Sequence, residues 1–190
     1  MNAMKKSLYK PAVFGCALLW LLAWDLQADM RVPVAEDLYQ DGKQALVRQL
    51  PILLAFSAED CSYCELLEED FLQPMLLSGE YRDRVIIRKL MLDNGSYVAD
   101  FSGRQTAASR LSDHYRVFVT PTILFVDGNG TELAERMVGI NTPELFGGYL
   151  DACVETALAG IRNPAALATM NGCRLAQPVT GTKLFSSATP

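Results

Sequence analysis

The sequence predicts an α/β domain in which strands and helices alternate along the chain. Short apolar runs typical of buried strands are separated by segments with helical periodicity. The chain has 190 residues, which suits one domain with extensions, and 50% of them are hydrophobic, as expected of a globular core. The net charge of −5 argues against a nucleic-acid partner.

The first 28 residues have the pattern of an export signal. Lys5, Lys6 and Lys10 precede an apolar run at residues 12–24, which is 13 residues long and short for a membrane span. A cleavage point follows Ala28. We therefore expect residues 1–28 to be a signal peptide and the protein to be periplasmic, with an uncleaved membrane anchor as the alternative.

The first half of the expected domain contains two predicted helices and two predicted strands. Apolar positions at helical spacing predict a helix over residues 34–50, and the run at 51–56 predicts a buried strand. A second helix is predicted over 63–71, and Pro74 is expected to end or kink it because proline lacks the backbone N–H. Residues 85–92 predict the second strand.

The second half continues the alternation. Turn-forming residues predict an inserted loop at 93–103, and a helix is predicted over 105–115. Residues 122–126 predict a strand that turns at 127–130 into a return strand at 132–137. The last helix is predicted to start at Pro143, capped by Thr142, and to end near residue 159.

Two cysteines, Cys61 and Cys64, are separated by two residues and follow the strand at 51–56. A cysteine at a helix start lies near unpaired backbone N–H groups and the positive end of the helix dipole, which favour the nucleophilic thiolate. The second cysteine, one turn later, can resolve a mixed disulfide. The alternatives are a structural disulfide and half of a metal site, although a second C-x-x-C is missing and His114 is the only histidine.

Two segments carry a resemblance to the thioredoxin fold: residues 56–64 (FSAEDCSYC) and 119–127 (VTPTILFVD). The resemblance covers roughly residues 35–160 and implies a central mixed sheet flanked by helices. The insertion at 97–103 (YVADFSG) is similar to that of exported thioredoxin-like proteins, including the SoxW-like group linked to bacterial sulfur oxidation. The expected domains are therefore the signal at 1–28, a thioredoxin-like domain at 29–162 and a partly disordered extension at 163–190.

The resemblance also implies roles for individual residues. Cys61 is expected to attack and Cys64 to resolve, with Pro121 as a cis proline beside them and Thr120 pairing with a substrate strand. Ser62 and Tyr63 lie between the cysteines and are expected to contact substrate. The implied partners are a disulfide-containing protein or small thiol and a membrane electron donor; no cofactor is implied, and a monomer is expected.

The chain departs from cytosolic thioredoxins near the cysteines. Asp60 stands where they have a tryptophan before the first cysteine. Ala55 aligns with their buried acid, which accepts the proton of the resolving thiol. We expect Glu59, Lys89 or a water to accept that proton here. The acidic residues after the motif are interpreted as a solvated face: Glu65, Glu68, Glu69 and Asp70. Negative charge near Cys61 disfavours its thiolate and therefore the reduced form of the protein. The dithiol is then a better electron donor, so we expect a reductase.

Cys153 and Cys173 remain as a possible structural pair after export. A bond between them would tie the segment after the last helix back onto the domain. The alternative is that both are free thiols, with Cys153 buried.

Overall fold

The computed structural model describes residues 31–163 and Cys173, which contain a four-stranded mixed sheet of order β2-β1-β5-β6 and a separate two-stranded sheet, β3-β4. Strand β2 runs parallel to β1, whereas β5 is antiparallel to β1 and β6 antiparallel to β5. The central mixed sheet is therefore confirmed. The strands are β1 (Ile52–Ser57), β2 (Ile86–Met91), β3 (Tyr97–Ala99), β4 (Gln105–Ala107), β5 (Thr122–Val126) and β6 (Met137–Val138).

The two central strands are buried along their whole length. All six residues of β1 and all five of β5 are shielded from solvent, which explains their continuous apolar sequence. Helices cover both faces of the sheet. They are α1 (Leu38–Arg48), α2 (Ser62–Leu67), α3 (Gln73–Ser78), α4 (Ala108–Tyr115) and α5 (Pro143–Arg162).

The sheet divides the core into two clusters. Leu54 and Phe56 of β1 pack with residues of α1 and α4 on one face. Leu53 and Ala55 pack with residues of α2, α3 and α5 on the other. This alternation follows from the period of two along a strand, and it puts the helix that carries the cysteines on the same face as Ala55.

Several predicted elements differ from the structure. Residues 34–37 are not helical: Val34 bridges Lys89 beside β2, and the Asp37 carboxylate accepts a hydrogen bond from Gln40 N–H at 2.9 Å, which starts α1. The predicted loop at 93–103 contains β3. This strand pairs with β4, so residues 105–107 are extended and the helix begins only at Ala108. Cross-strand pairing outweighs the helical pattern here.

The predicted return strand at 132–137 is also shorter than expected. Only β6 pairs regularly with β5, and Glu132 makes one isolated bridge to Val126. Helix α5 extends to Arg162 rather than to residue 159. Thr142 occupies the N-cap position of α5, but its side chain accepts no capping hydrogen bond. Its carbonyl instead accepts from Leu145 N–H at 3.0 Å.

Pro74 does not end the helical segment that follows the cysteines. A π-helical turn, Glu68–Leu72, joins α2 to α3, and Pro74 lies in the first turn of α3. Pro74 lacks the N–H that would continue the α-helical ladder, and the π-helical turn directly before it is where the pairing departs from the α-helical pattern.

Two sequence predictions fall on parts of the chain outside the described residues. The signal peptide expected at 1–28 is one, and the extension at 163–190, apart from Asn163 and Cys173, is the other. Among the helices of the described part, none combines the length and the apolar character needed to cross a bilayer.

Candidate active site at the Cys61–Cys64 disulfide

The turn between β1 and α2 presents the first cysteine. Asp60, directly before Cys61, adopts the left-handed conformation with φ of 51°. The backbone N–H of Glu59 donates to the carboxylate of Asp93, with both oxygens at 2.9 Å. Asp93 follows β2, the neighbour of β1 in the sheet. A residue from the adjacent strand end thus fixes the start of the cysteine turn.

Cys61 and Cys64 form a disulfide, with sulfurs 2.10 Å apart. Cys61 is the N-cap residue of α2, and its sulfur accepts a hydrogen bond from Cys64 N–H at 3.3 Å. Cys61 is partly exposed, whereas Cys64 is only 6% exposed. An incoming thiolate therefore has easier access to the sulfur of Cys61.

The Thr120–Pro121 segment lies beside this disulfide. Its peptide bond is cis. The hydroxyl of Thr120 donates to the sulfur of Cys61 at 3.6 Å. Pro121 is buried, and its carbonyl accepts from Gly139 N–H at 2.8 Å, which anchors the segment to the edge of the sheet. The structure thus brings together Cys61, Cys64, Thr120 and Pro121, residues from both motifs.

Apolar side chains are exposed near the disulfide. Tyr63, between the two cysteines, is 57% exposed. Phe118 and Val119, which directly precede Thr120, are 81% and 54% exposed. Sequence analysis did not assign these two residues to the site. The sequence does contain a signal for them. Both are apolar residues in a connecting segment next to Thr-Pro, where apolar side chains are not needed for a buried strand and can instead contact a substrate.

Glu68 and Lys89 form an ion pair one helical turn beyond Cys64. The Glu68 Oε2–Lys89 Nζ distance is 2.5 Å, and the side chains are 16% and 18% exposed. The other Glu68 oxygen accepts from Val32 N–H at 3.2 Å. The interpretation of the acidic run as a solvated face is therefore wrong for Glu68. It is confirmed for the remaining members, which are exposed: Glu65, Glu69 and Asp70.

A second disulfide joins Cys153 of α5 to Cys173, with sulfurs 2.09 Å apart. Both cysteines line a cavity of about 360 Å³ beside β6. Cys153 is only 2% exposed, and both sulfurs lie near the carbonyl of Glu135. Cys173 is partly exposed, as Cys61 is, but Cys153 lies within α5 rather than at a helix start, and we interpret this pair as a structural disulfide. In the described part of the chain, no cluster of three or more metal-binding side chains occurs.

The mixed sheet, the C-x-x-C disulfide at a helix start and the cis proline beside it define a thioredoxin fold of the kind found in thiol–disulfide oxidoreductases. A family model described as a thioredoxin-like domain matches residues 38–153. The chain therefore belongs to the thioredoxin-like family.

Solved structures with the same fold are distant in sequence. A thioredoxin-fold protein from Helicobacter pylori is 19% identical over 68% of this chain and 91% of its own, with a TM-score of 0.46. Thioredoxin NaTrxh from Nicotiana alata is 22% identical over 63% of this chain and 93% of its own (TM-score 0.42). Oxidised thioredoxin O2 from Arabidopsis thaliana is 23% identical over 64% and 93%, respectively (TM-score 0.40). No curated protein sequence matches the chain significantly.

Proposed function

We propose that this protein is an exported thiol–disulfide oxidoreductase that works as a reductase through Cys61 and Cys64. The observation that carries the proposal is the asymmetry of the disulfide. Cys61 is accessible at the start of α2 and next to Thr120, whereas Cys64 is buried behind it. An attacking and a resolving thiol need this arrangement.

The reaction requires only thiol chemistry. In the reduced protein, the Cys61 thiolate attacks a substrate disulfide, forms a mixed disulfide and releases one substrate thiolate. The Cys64 thiolate then attacks the Cys61 sulfur, which restores the Cys61–Cys64 disulfide and releases the second substrate thiolate. The substrate gains two electrons, and a dithiol donor returns them to the protein by the same exchange in reverse.

The surroundings of Cys61 suit an extended substrate segment. Thr120 offers its backbone for pairing with a substrate strand, and Ser62 and Tyr63 flank the disulfide on the helix side. Tyr63, Phe118 and Val119 supply exposed apolar surface for the residues around the substrate cysteine. These exposed side chains favour a protein disulfide, with the disulfide form of a small thiol as the alternative substrate.

Charge near the disulfide supports the reductase direction. Glu59, Asp60 and Glu65 are exposed around Cys61, and residues 55–75 contain no basic side chain. Negative charge disfavours the thiolate and hence the reduced form, so the dithiol is a better electron donor. With the export signal expected at residues 1–28, cleaved or retained as an anchor, the donor is expected to be a membrane protein that serves the periplasm.

Two other functions compete with this proposal. In a binding module, the Cys61–Cys64 disulfide would only staple the start of α2, but the access to Cys61 favours exchange. In a metallochaperone, both thiolates would bind a metal ion and would need a further ligand. The described residues offer no cluster for such a site.

The reduction potential of Cys61–Cys64 tests the proposal. The protein is equilibrated with defined mixtures of reduced and oxidised glutathione, the thiols are trapped by alkylation, and Cys61→Ser serves as the unreactive control. We expect a potential close to that of thioredoxin, roughly −270 mV. A value above roughly −150 mV, towards the strongly oxidising exported proteins, would make the protein an oxidase. No exchange with glutathione or stronger dithiols would support the binding module.

A further inference from the structure

The Glu68–Lys89 ion pair is attached to the helix that carries Cys64. The backbone N–H of Glu68 donates to the carbonyl of Cys64, as expected of residues four apart. Residues at this spacing lie on the same face of a helix, with Cβ atoms about 5–6 Å apart. The Glu68 carboxylate is held from two further directions, by Lys89 Nζ and by Val32 N–H. It is therefore a fixed charge near the resolving thiol.

The sheet brings the cation to the same place. Lys89 of β2 lies directly opposite Ala55 of β1, two residues before Ser57 at the end of that strand. Ala55 has no polar side-chain atom. The buried polar side chains of the described residues are Ser57, Ser112 and Thr122, so none of them is a carboxylate. The carboxylate of this partly buried ion pair belongs to the residue one helical turn after Cys64.

Other charged groups around the site are more open to solvent. Glu59, Asp60 and Asp93 lie in the cysteine turn and at its anchor, and Glu65 follows Cys64 on α2; all four are exposed. In the segment beside β2, Arg31 and Glu36 are exposed as well. Water and salt screen such charges, whereas a partly buried pair is screened much less.

We infer that the Glu68–Lys89 pair sets the proton affinity of the Cys64 thiol. The inference rests on the proposed function and names two positioning residues for its second step. The carboxylate raises the proton affinity of a neighbouring thiol and the ammonium lowers it, so the two charges act in opposite directions.

Their balance determines how easily the resolving step begins. The Cys64 thiol must lose its proton before its sulfur attacks Cys61 in the mixed disulfide. The new Cys61–Cys64 bond forms as the bond from Cys61 to the substrate sulfur breaks, and the substrate leaves as a thiolate that later takes up a proton. A lower proton affinity gives more thiolate at a given pH and hence more frequent resolution.

The test follows the titration of each thiol in the reduced protein through the Cβ chemical shift of ¹³C-labelled cysteine. Glu68→Gln leaves the positive charge of Lys89 without its counterion. We therefore expect the midpoint of the Cys64 titration to fall by about one pH unit, a tenfold change in proton affinity. Lys89→Met leaves the carboxylate unbalanced, and the midpoint should rise by a similar amount. The double variant should return close to the wild-type midpoint.

Glu69→Gln is the matched control, because it removes the same charge one residue later at an exposed position. Its effect on Cys64 should be much smaller than that of Glu68→Gln. Midpoints that move in the same direction in both single variants, or no further than in the control, would overturn the inference. Either single variant decides the question if the other does not fold. Because the titration needs no substrate, failure of glutathione exchange would remove the proposed function and leave this result standing.

Discussion

Two glycines that face each other, Gly42 of α1 and Gly128 in the turn after β5, give a sharp stability prediction. A Cβ added to Gly42 of α1 would lie 2.3 Å from the carbonyl oxygen of Gly128 and 3.3 Å from its carbonyl carbon. Gly128 in turn has the Gly42 carbonyl oxygen 2.5 Å from its own Cβ position. Both contacts are to backbone, so a side-chain rotation cannot relieve them. Gly42→Ala must push α1 away from the turn after β5.

The magnitude follows from two opposing effects. Alanine is favoured over glycine inside a helix by about 1 kcal/mol. Against this, the Gly128 carbonyl must retreat by about 1 Å to restore an ordinary contact of 3.4 Å. Overpacking of a tight core costs about 1–3 kcal/mol, and a backbone obstacle puts this site at the upper end or beyond. We expect Gly42→Ala to lower the free energy of unfolding by about 2 kcal/mol.

Gly147 of α5 provides the matched control. The nearest atoms to its Cβ position belong to the Phe71 ring, at 3.7 and 3.8 Å, and the residue is exposed. Gly147→Ala should therefore raise the free energy of unfolding by about 0.5–1 kcal/mol. Urea unfolding of the oxidised protein, followed by circular dichroism, measures the free energy of unfolding of both variants. The comparison requires that this free energy depends equally steeply on urea concentration in each protein. A Gly42→Ala protein as stable as the wild type would refute the reasoning, because the backbone contact with Gly128 would then cost no more than the gain in helix propensity.

Three further outcomes concern the cysteines and the cis proline. Limited alkylation of the reduced protein should label Cys61 before Cys64, and faster labelling of Cys64 would reverse their roles. The Cys64→Ser variant should accumulate mixed disulfides that are visible on non-reducing gels. Pro121→Ala should slow disulfide exchange more than it lowers the urea midpoint, because Pro121 lies beside the reactive sulfur; loss of stability without loss of exchange would contradict this. Cys153→Ala/Cys173→Ala should cost about 3 kcal/mol, since the bond closes a loop with a sequence separation of 20. An unchanged urea midpoint would show that the bond is not formed.

The order of strands and helices could be predicted because each element has a local pattern of apolar residues. Continuous apolar runs gave β1, β2 and β5, which are buried or mostly buried in the sheet. The two motifs also predicted which segments meet at the disulfide. Element boundaries do not follow from local sequence where strand pairing decides the conformation: residues 105–107 fit a helical pattern but pair with β3. Local propensity cannot weigh a partner strand whose position is unknown.

The ion pair near Cys64 shows a second limit of sequence reasoning. Glu68 lies among acidic residues that resemble a solvated face, and its neighbours Glu69 and Asp70 do face solvent. Its partner Lys89 is 21 residues away and comes from a different element. Nothing in the local sequence of either residue indicates the other. Only the parallel pairing of β1 and β2 brings the strand that carries Lys89 under the helix that carries Glu68.

Strand register assigns the two consecutive cations of β2 to different faces of the sheet. Arg88 pairs with Asp41 of α1, whereas Lys89 pairs with Glu68 after α2. Neighbouring residues of a strand point to opposite faces, so a slip of one residue would exchange the two side chains. The neighbouring apolar residues oppose such a slip, because Leu90 packs in the cluster that contains α1 and Ile87 in the one that contains α2. Hydrophobic packing of the strand thus determines which cation lies near the reactive disulfide, so the same register that builds the core also places the charge that we infer to act on Cys64.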